Sequence, residues 1–319
     1  GGESNFTVVM VDGVQLNNPT NTRGGSFDFG NLSLDSVERI EIVRGAQSAI
    51  YGSDALSGVI NIITTRPRVG HQQVVNVEGG EYGYWRGAVT FAGLTDSFGY
   101  KVQVGSRDSG EPVKGSEQRS DEANLGFTWS PANQHKLSLD YRYADGDRNS
   151  YPEQSGGPLL AQSDDLYTSD YTDESWAATW HYQVSTLWQS TLSANRYDRE
   201  ERYESPGIVP YTNVPPNRAD TDFERTNYRW VNRVGNEQYW LHAGVDRREE
   251  QGHSVGTVDF GVLIPTEFEL DRATNGAFVD VNAWVASSTL LQASARYDDP
   301  DNTDSEESYK LGIKQLLSD

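Results

Sequence analysis

The chain has 319 residues, no cysteine, 35% hydrophobic residues and a formal net charge of −21. The absence of cysteine excludes a disulfide framework and thiolate metal sites, and the acidic charge argues against nucleic acid as a partner, because phosphate binding needs clustered lysine and arginine. No stretch of about 18 apolar residues occurs, which excludes a transmembrane helix, whereas transmembrane β-strands alternate apolar and polar residues and keep an ordinary hydropathy.

The first part of the chain predicts a small mixed α/β unit. "FTVVMVDGV" is typical of a strand that ends in an Asp-Gly turn, "VERIEIVRG" of a second strand, and "SAIYGSDALSG" of a short helix or turn bounded by glycine. "GVINIITTRP" is a nearly continuous apolar strand, as expected where both faces are covered, and Pro67 ends it. Gly45, Gly52 and Gly58 allow positive φ where these short elements meet.

After about residue 70 the sequence alternates with a period of two, and about twelve segments have the ~9–11 residues that cross a bilayer as a tilted strand. In "HKLSLDYRYAD" the apolar and aromatic residues share one face and the polar residues share the other. Four side chains are predicted to face outward, toward lipid: Leu137, Leu139, Leu241 and Val279.

The connections between these segments alternate in length. Short turns begin at residues 94, 130, 184, 234 and 286, and the longer connections are predicted at 107–119, 144–172, 199–222 and 247–268. Outer-membrane barrels show this asymmetry, with short periplasmic turns and long extracellular loops. A soluble β-sandwich or propeller is the alternative, but a propeller predicts a repeat of about 40–50 residues, and the sequence shows none.

The segments Val11–Val14, Val37–Gly45 and Ser48–Thr64, followed directly by alternating strands, resemble the C-terminal half of the plug domain of TonB-dependent outer-membrane transporters. Within that family, the regions Asn195–Gly207 and Asp222–Trp230 resemble the cobalamin (vitamin B12) transporter branch. The resemblance implies a mainly β fold: a truncated transmembrane antiparallel β-barrel, with about 12 of roughly 22 strands, preceded by part of a small mixed α/β plug.

The resemblance also implies a domain division and a function. Residues 1–68 would be the C-terminal part of the plug, and residues 69–319 the N-terminal half of the barrel. The implied function is TonB-dependent uptake of a scarce nutrient, cobalamin-like or a siderophore, across the bacterial outer membrane. The implied partners are a TonB-type periplasmic energy-coupling protein, outer-membrane lipid and a small-molecule nutrient. A passive porin is the alternative, and it would lack the plug that residues 37–64 predict.

Three charged residues at the second predicted strand are candidates for contacts between plug and barrel. Arg39 and Glu41 share one face of that strand, and Arg44 lies at its end. Ion pairs in a wet lumen are individually weak, which would suit a plug that must shift. The alternative is that all three are solvated strand charges.

An acidic segment, Ala144–Glu174, carries eight carboxylates and one basic residue. Such clusters suit Ca²⁺, which takes roughly 6–8 oxygen ligands, and the resemblance to the cobalamin branch implies that calcium orders extracellular loops. The alternative is a solvated acidic loop without an ion. The candidate ligands are Asp145, Asp147, Asp164, Asp165, Asp198 and Asp222.

The segment Gln15–Asn31 would form the outward-facing apex loop of the plug and is the candidate for substrate contacts. It mixes amides, hydroxyls, an arginine and aromatics that could bind or stack on a ligand. The alternative is an ordinary polar loop in which the "NNP" and "GG" segments only form turns and bind no ligand. The candidate residues are Asn17, Asn18, Asn21, Arg23, Phe27 and Asp28.

We expect no enzymatic activity. No GxSxG motif occurs, and nothing predicts a nucleophile, base and acid that converge. The five histidines have no paired metal-ligand spacing, so the sequence predicts no zinc site.

Overall fold

The computed structural model describes residues 4–20, 25–32, 34–45, 47–52, 54–151, 165–208 and 214–316, and it contains two β-sheets. The small sheet has the strand order β2-β1-β4-β3. Its elements are β1 (Thr7–Val11), β2 (Val14–Gln15), β3 (Val37–Arg44), a short helix α1 (Ser48–Tyr51) and β4 (Gly58–Thr64). In the described part of the chain, no helix is long and apolar enough to cross a membrane.

The small sheet has the elements that the sequence predicted. β1 and β2 form a hairpin in which Asp12 and Gly13 both have positive φ, 47° and 88°, as a tight two-residue turn requires. The apolar strand β4 lies between β1, to which it is parallel, and β3, to which it is antiparallel. Gly58 has a φ of 151°, and a Cβ atom there would lie 2.4 Å from the carbonyl oxygen of Val43. This position therefore requires glycine.

The large sheet has twelve strands, each paired antiparallel with its sequence neighbours, and β5 and β16 are its edges. This confirms the predicted fold class and the number of alternating segments. The strands are β5 (Gly70–Gly79), β6 (Trp85–Leu94), β7 (Phe98–Asp108), β8 (Glu117–Ala132), β9 (His135–Ser150), β10 (Tyr167–Ser185), β11 (Trp188–Ser205), β12 (Asn217–Gly235), β13 (Tyr239–Asp259), β14 (Leu263–Ala286), β15 (Thr289–Pro300) and β16 (Glu306–Gln315).

The two faces of the large sheet have different surroundings. The inward face packs against the small sheet. Ala177, Tyr197 and Phe223 of β10–β12 pack in one buried cluster with Val9, Ile62 and other apolar residues of the small sheet. Side chains of the opposite parity point outward and are largely apolar or aromatic near the short turns. The four residues predicted to face outward, Leu137, Leu139, Leu241 and Val279, have this parity.

The short turns lie where the sequence predicted them, but the long connections were predicted too long. The predicted connection 247–268 is wrong, because β13 and β14 stay paired up to a turn at residues 260–262. Residues 144–150 and 199–205 are also strand. In these extensions charged and polar residues occur on both faces, and the few apolar residues, such as Val255 and Phe268, no longer form a sustained alternation, while the backbone hydrogen bonds continue.

Candidate functional site

Buried arginine side chains of the large sheet hold the small sheet in place. Arg225 and Glu250 are only 2% and 1% exposed and form an ion pair of 2.6 Å. Arg225 Nη1 also donates to the backbone carbonyl oxygens of Gln15 (3.2 Å) and Asn17 (2.8 Å). On the other side, Arg272 donates to Glu250. A charged group buried this deeply needs all its partners, so the small sheet completes the environment of Arg225.

A second set of contacts joins charged groups across the two sheets. Arg248 Nη1 lies 2.7 Å from Asp54 Oδ2, and Gly52, with a φ of 91°, leaves room for this guanidinium. Burial alone would raise the pKa of Asp54, but Arg248 and then Arg225 outweigh it and lower that pKa to about 2. Asp35 pairs with Arg86. Lys101 Nζ, buried, donates to Thr64 Oγ1 over 2.6 Å.

Of the residues predicted to contact the barrel wall, Arg39 and Glu41 contact each other in the described structure. Arg39 Nε lies 2.7 Å from Glu41 Oε1, and both side chains are about half exposed, at 54% and 46%. The hydrogen bond from Arg39 lowers the pKa of Glu41. Arg44 is exposed at the end of β3. Within the described residues, Arg39 and Glu41 pair with each other, and the charged contacts to the large sheet use other side chains of the small sheet.

A cavity of about 650 Å³ lies between the loop that follows β2 and the inward face of β9–β12. Its floor includes Asn18, Phe27 and Asp28, and its wall carries several tyrosines. Tyr167 and Tyr203 stack with their ring centroids 5.9 Å apart. The size and the aromatic lining are those of a site for a small organic ligand.

Two polar groups of this cavity are buried without a hydrogen-bond partner in the described structure: Asn18 Nδ2 and the hydroxyl of Tyr171. Native structures rarely leave buried donors unpaired, so each such group requires an explanation. The Oδ1 atom of Asn18 is already used, since it accepts from Thr20. Nearby, the guanidinium of Arg199 lies 5.0 Å from the Tyr171 ring centroid and also donates to Asp173. Both residues line the cavity, so these two groups are candidates for contacts with a polar ligand.

The predicted substrate residues divide into three sets. Asn18, Phe27 and Asp28 line the cavity, and Asp28 also pairs with Arg148 at 3.2 Å. Asn17 is buried, and its side chain bonds to the backbone of Thr7, Val9 and Gly25, which is a structural role in the loop. The other two predicted residues, Asn21 and Arg23, lie outside the described residues.

The predicted calcium ligands are spread over the outward face of several strands. Asp145 and Asp147 lie on β9, Asp198 on β11 and Asp222 on β12. Neighbouring strands are about 4.8 Å apart, so β9 and β12 are separated by about 14 Å, too far for one ion with ligands at about 2.4 Å. Asp198 already pairs with Arg196 at 2.8 Å. Asp165 precedes β10, and Asp164 lies outside the described residues.

Sequence reasoning missed the barrel side of the cavity. Tyr167, Tyr171 and Arg199 lie in segments that were predicted as loop, although they are strand. A signal was present, because "YTSDYTDES" places Tyr167, Ser169, Tyr171 and Asp173 at alternate positions. Continuing the period of two beyond the apolar band would have placed these side chains on the inward face.

Comparison with known proteins identifies the small sheet. Residues 1–59 match the TonB-dependent Receptor Plug Domain. The vitamin B12 transporter BtuB of Vibrio cholerae serotype O1 is 30% identical over 338 residues, which cover 98% of this chain and 49% of that protein. The vitamin B12 transporter BtuB of Photobacterium profundum is 25% identical, with 98% and 48% coverage. The chain thus spans about half the length of the curated relatives it matches.

Solved structures share the fold at low sequence identity. The ferric yersiniabactin uptake receptor FyuA of Yersinia pestis superposes with a TM-score of 0.76 at 13% identity, over 99% of this chain and 54% of that one. The copper transporter OprC gives a TM-score of 0.73 at 13% identity, over 99% and 53%. FpvAI in complex with pyocin S2 gives 0.78 at 12% identity, over 98% and 50%.

A plug sheet held against the inner face of an antiparallel barrel sheet defines the class of plugged outer-membrane barrels. Residues 1–59 match the plug domain of the TonB-dependent receptors of the bacterial outer membrane, and the sequence of the chain is similar to that of cobalamin transporters. This confirms the resemblance and the location predicted from the sequence. The relatives are transporters and receptors, and they give no support to the porin alternative.

Proposed function

We propose that the protein containing this chain takes up a scarce nutrient of the cobalamin class across the outer membrane, driven by a TonB-type periplasmic partner. The observation that carries the proposal is the cavity between plug and barrel, with two unpaired buried polar groups, Asn18 Nδ2 and the Tyr171 hydroxyl. The plug below it packs through a shared apolar core and Arg225 against the barrel. A ligand bound there can pass inward only if the plug moves.

The plug contacts favour driven uptake over passive diffusion. Several charged side chains of the barrel donate hydrogen bonds to plug atoms. Arg225, Arg248 and Lys101 are among them. Breaking such buried contacts costs several kcal/mol, which thermal motion supplies rarely. Energy from a periplasmic partner is therefore the expected trigger. No chemical change of the ligand is part of this function, and the protein is not proposed to be an enzyme.

Cobalamin is proposed over other ligands because of the relatives' sequences. The curated vitamin B12 transporters align with 98% of the chain, whereas the siderophore and copper receptors share the fold at 18% identity or less. The tyrosine-rich wall would stack on a large planar or apolar ligand surface, and the unpaired amide and hydroxyl would bind its polar groups.

Calcium binding by the extracellular loops remains part of the proposal. It is supported by the eight carboxylates and one basic residue between Ala144 and Glu174. Carboxylates that converge repel one another, and Ca²⁺ would relieve that repulsion and order the mouth above the cavity. We expect the affinity for cobalamin and the protection of these loops from protease to rise with calcium and to fall again with a chelator. An unchanged affinity and cleavage pattern up to millimolar calcium would contradict this part of the proposal.

Binding of cyanocobalamin to the intact purified protein tests the ligand site. Tyr171→Phe removes only the unpaired hydroxyl, so a lost hydrogen bond should weaken binding by about 0.5–1.5 kcal/mol, or roughly 2- to 10-fold. Tyr182→Phe is the matched control, because Tyr182 stacks on His135 near a short turn and outside the cavity. Equal affinities for wild type and Tyr171→Phe would contradict the site. Binding of a ferric siderophore in place of cobalamin would contradict the ligand and leave the transporter class standing.

A further inference from the structure

A histidine and three carboxylates come together on the outward face of the barrel. His253 of β13 lies directly opposite Asp222 of β12 and Glu269 of β14 in the strand register, and Glu267 is two residues further along β14. Val245, which has the same parity on β13, belongs to the apolar outward band near the short turns. His253 lies eight residues beyond it, about 25 Å along the strand. The cluster therefore lies outside the apolar band, which is about 25 Å tall in outer-membrane barrels.

The two nitrogens of the imidazole face different carboxylates. Nε2 of His253 lies 3.5 Å from Glu267 Oε1, and Nδ1 lies 3.8 Å from Asp222 Oδ2. One ligand atom each of His253, Glu267 and Glu269 lies within 4.8 Å of the others. In the described residues this is the one group of three potential metal ligands with atoms so close.

We propose that His253, Glu267 and Glu269 bind one divalent transition-metal ion of the Zn²⁺ type. The three side chains supply one nitrogen and two carboxylate oxygens, which is a ligand set that Zn²⁺ accepts with water in the remaining position. The imidazole distinguishes this site from one for Ca²⁺ or Mg²⁺, which prefer oxygen ligands only. None of the three ligands is among the calcium candidates or lines the cobalamin cavity, whereas Asp222, one of the calcium candidates, faces His253 here.

The position of Asp222 supports a metal at this place. A ligating histidine usually donates its other N–H to a carboxylate, which fixes the tautomer and aims the free lone pair at the metal. Asp222 Oδ2 lies 3.8 Å from Nδ1, where it would accept from Nδ1–H if Nε2 bound a metal on the side where Glu267 and Glu269 lie. Without a cation, the carboxylates of Glu267 and Glu269 would repel one another. Asp222 is thus a positioning residue, because the strand register places Asp222 of β12, His253 of β13 and Glu269 of β14 opposite one another in one row.

Sequence spacing could not have shown this site. The ligands come from two strands of a hairpin, fourteen and sixteen residues apart, and they become neighbours only because β13 and β14 stay paired beyond the apolar band. A bound ion would join the two strands near their turn at residues 260–262. We therefore expect metal to protect the backbone amides of this hairpin end from hydrogen exchange.

The test is a titration of the intact, EDTA-treated protein with Zn²⁺, followed by calorimetry, and with Co²⁺, followed by visible absorption. Wild type is expected to bind one equivalent with a nitrogen-containing coordination spectrum, and His253→Gln and Glu269→Gln are expected to weaken that binding more than about 100-fold. Asp222→Asn should weaken it about 10- to 100-fold at unchanged stoichiometry, and Asp222→Glu should restore much of the loss. His71→Gln and Glu249→Gln are the controls. His71 bonds to Tyr100 on a distant strand, and Glu249 pairs with Arg247 on the same face of β13.

Three results would overturn the proposal. The first is that wild type binds no Zn²⁺ up to millimolar concentration. The second is that His253→Gln binds as tightly as wild type, which would leave a carboxylate site for a hard cation. The third is that the controls lose binding to the same extent as His253→Gln, which would place the ion elsewhere. Each variant's barrel fold is checked by its heat-resistant migration on a gel, so a loss of binding is not confused with a loss of folding.

Discussion

Replacing Arg225 with methionine should loosen the plug without unfolding the barrel. Methionine keeps most of the length and apolar surface that packs beside Phe223, but it removes the guanidinium. The change deletes the ion pair to Glu250 and the two hydrogen bonds to the carbonyl oxygens of Gln15 and Asn17. The plug loses its deepest polar contact with the barrel.

The expected cost follows from the burial of this contact. Breaking a buried pair from one side costs about 3–5 kcal/mol, because the remaining charge is left uncompensated. In Arg225→Met, Arg272 still donates to Glu250, so we expect a loss of stability at the lower end of this range, about 3 kcal/mol. If the plug opens locally, this difference raises the exchange rate of its protected amides roughly 100-fold.

Hydrogen exchange of the intact protein in detergent measures this effect strand by strand. The amides of β1 and β4 should exchange faster in Arg225→Met, whereas those of the barrel strands far from the plug should not change. Arg202→Met is the matched control, because Arg202 pairs with Asp220 on the exposed outward face, where an ion pair contributes about 0–1 kcal/mol. A change of less than about threefold in β1 and β4, or an equal change in the control, would refute the reasoning.

Two further predictions concern the plug. Because the pKa of Asp54 is lowered to about 2 by Arg248, its contribution to stability is complete above about pH 4 and is lost as the pH falls toward 2. One third of the Asp54 side chain is exposed, so screening reduces its contribution to stability to about 1 kcal/mol. In thermal unfolding, Asp54→Asn should be less stable than wild type by this amount near neutral pH and as stable as wild type near pH 2. A stability difference that grows in acid would contradict the assignment. Gly58→Ala should destabilise the plug by clearly more than Gly45→Ala. Both glycines have positive φ, but only at Gly58 would the new Cβ lie too close to another atom, 2.4 Å from the carbonyl oxygen of Val43. At Gly45 only the cost of positive φ for alanine applies, about 1–2 kcal/mol. Denaturant unfolding measures both variants, and equal losses of the free energy of unfolding would show that the structure relieves the contact with Val43 without cost.

The sequence predicted the fold well where hydrophobic burial decides the structure. The strand β4 was recognisable because both its faces are covered by protein, which makes a continuous apolar run. The barrel strands were recognisable near the short turns, where lipid on one face and water on the other impose a period of two. In both places one physical force acts on consecutive residues and leaves a regular pattern.

The same reasoning failed where hydrogen bonding alone maintains the strands. The ends of β13 and β14 carry polar residues on both faces and only scattered apolar ones, so their composition resembles that of a loop. The candidate site was predictable only in part for the same reason. Asn18 and Phe27 were found through the plug loop, but Tyr171 lies on such an extension and was missed. The plug contacts of Arg225 depend on a register between distant segments, which no local pattern encodes.

Uptake of labelled cyanocobalamin by cells tests the central claim most directly. The intact protein is produced in a bacterial strain that lacks its own cobalamin transporter, with and without a functional TonB-type partner. We predict that labelled cobalamin binds at the cell surface in both strains and accumulates inside only when the partner is present. Accumulation at the same rate without the partner would show a passive channel, and it would contradict the account of a plug that must be moved by energy.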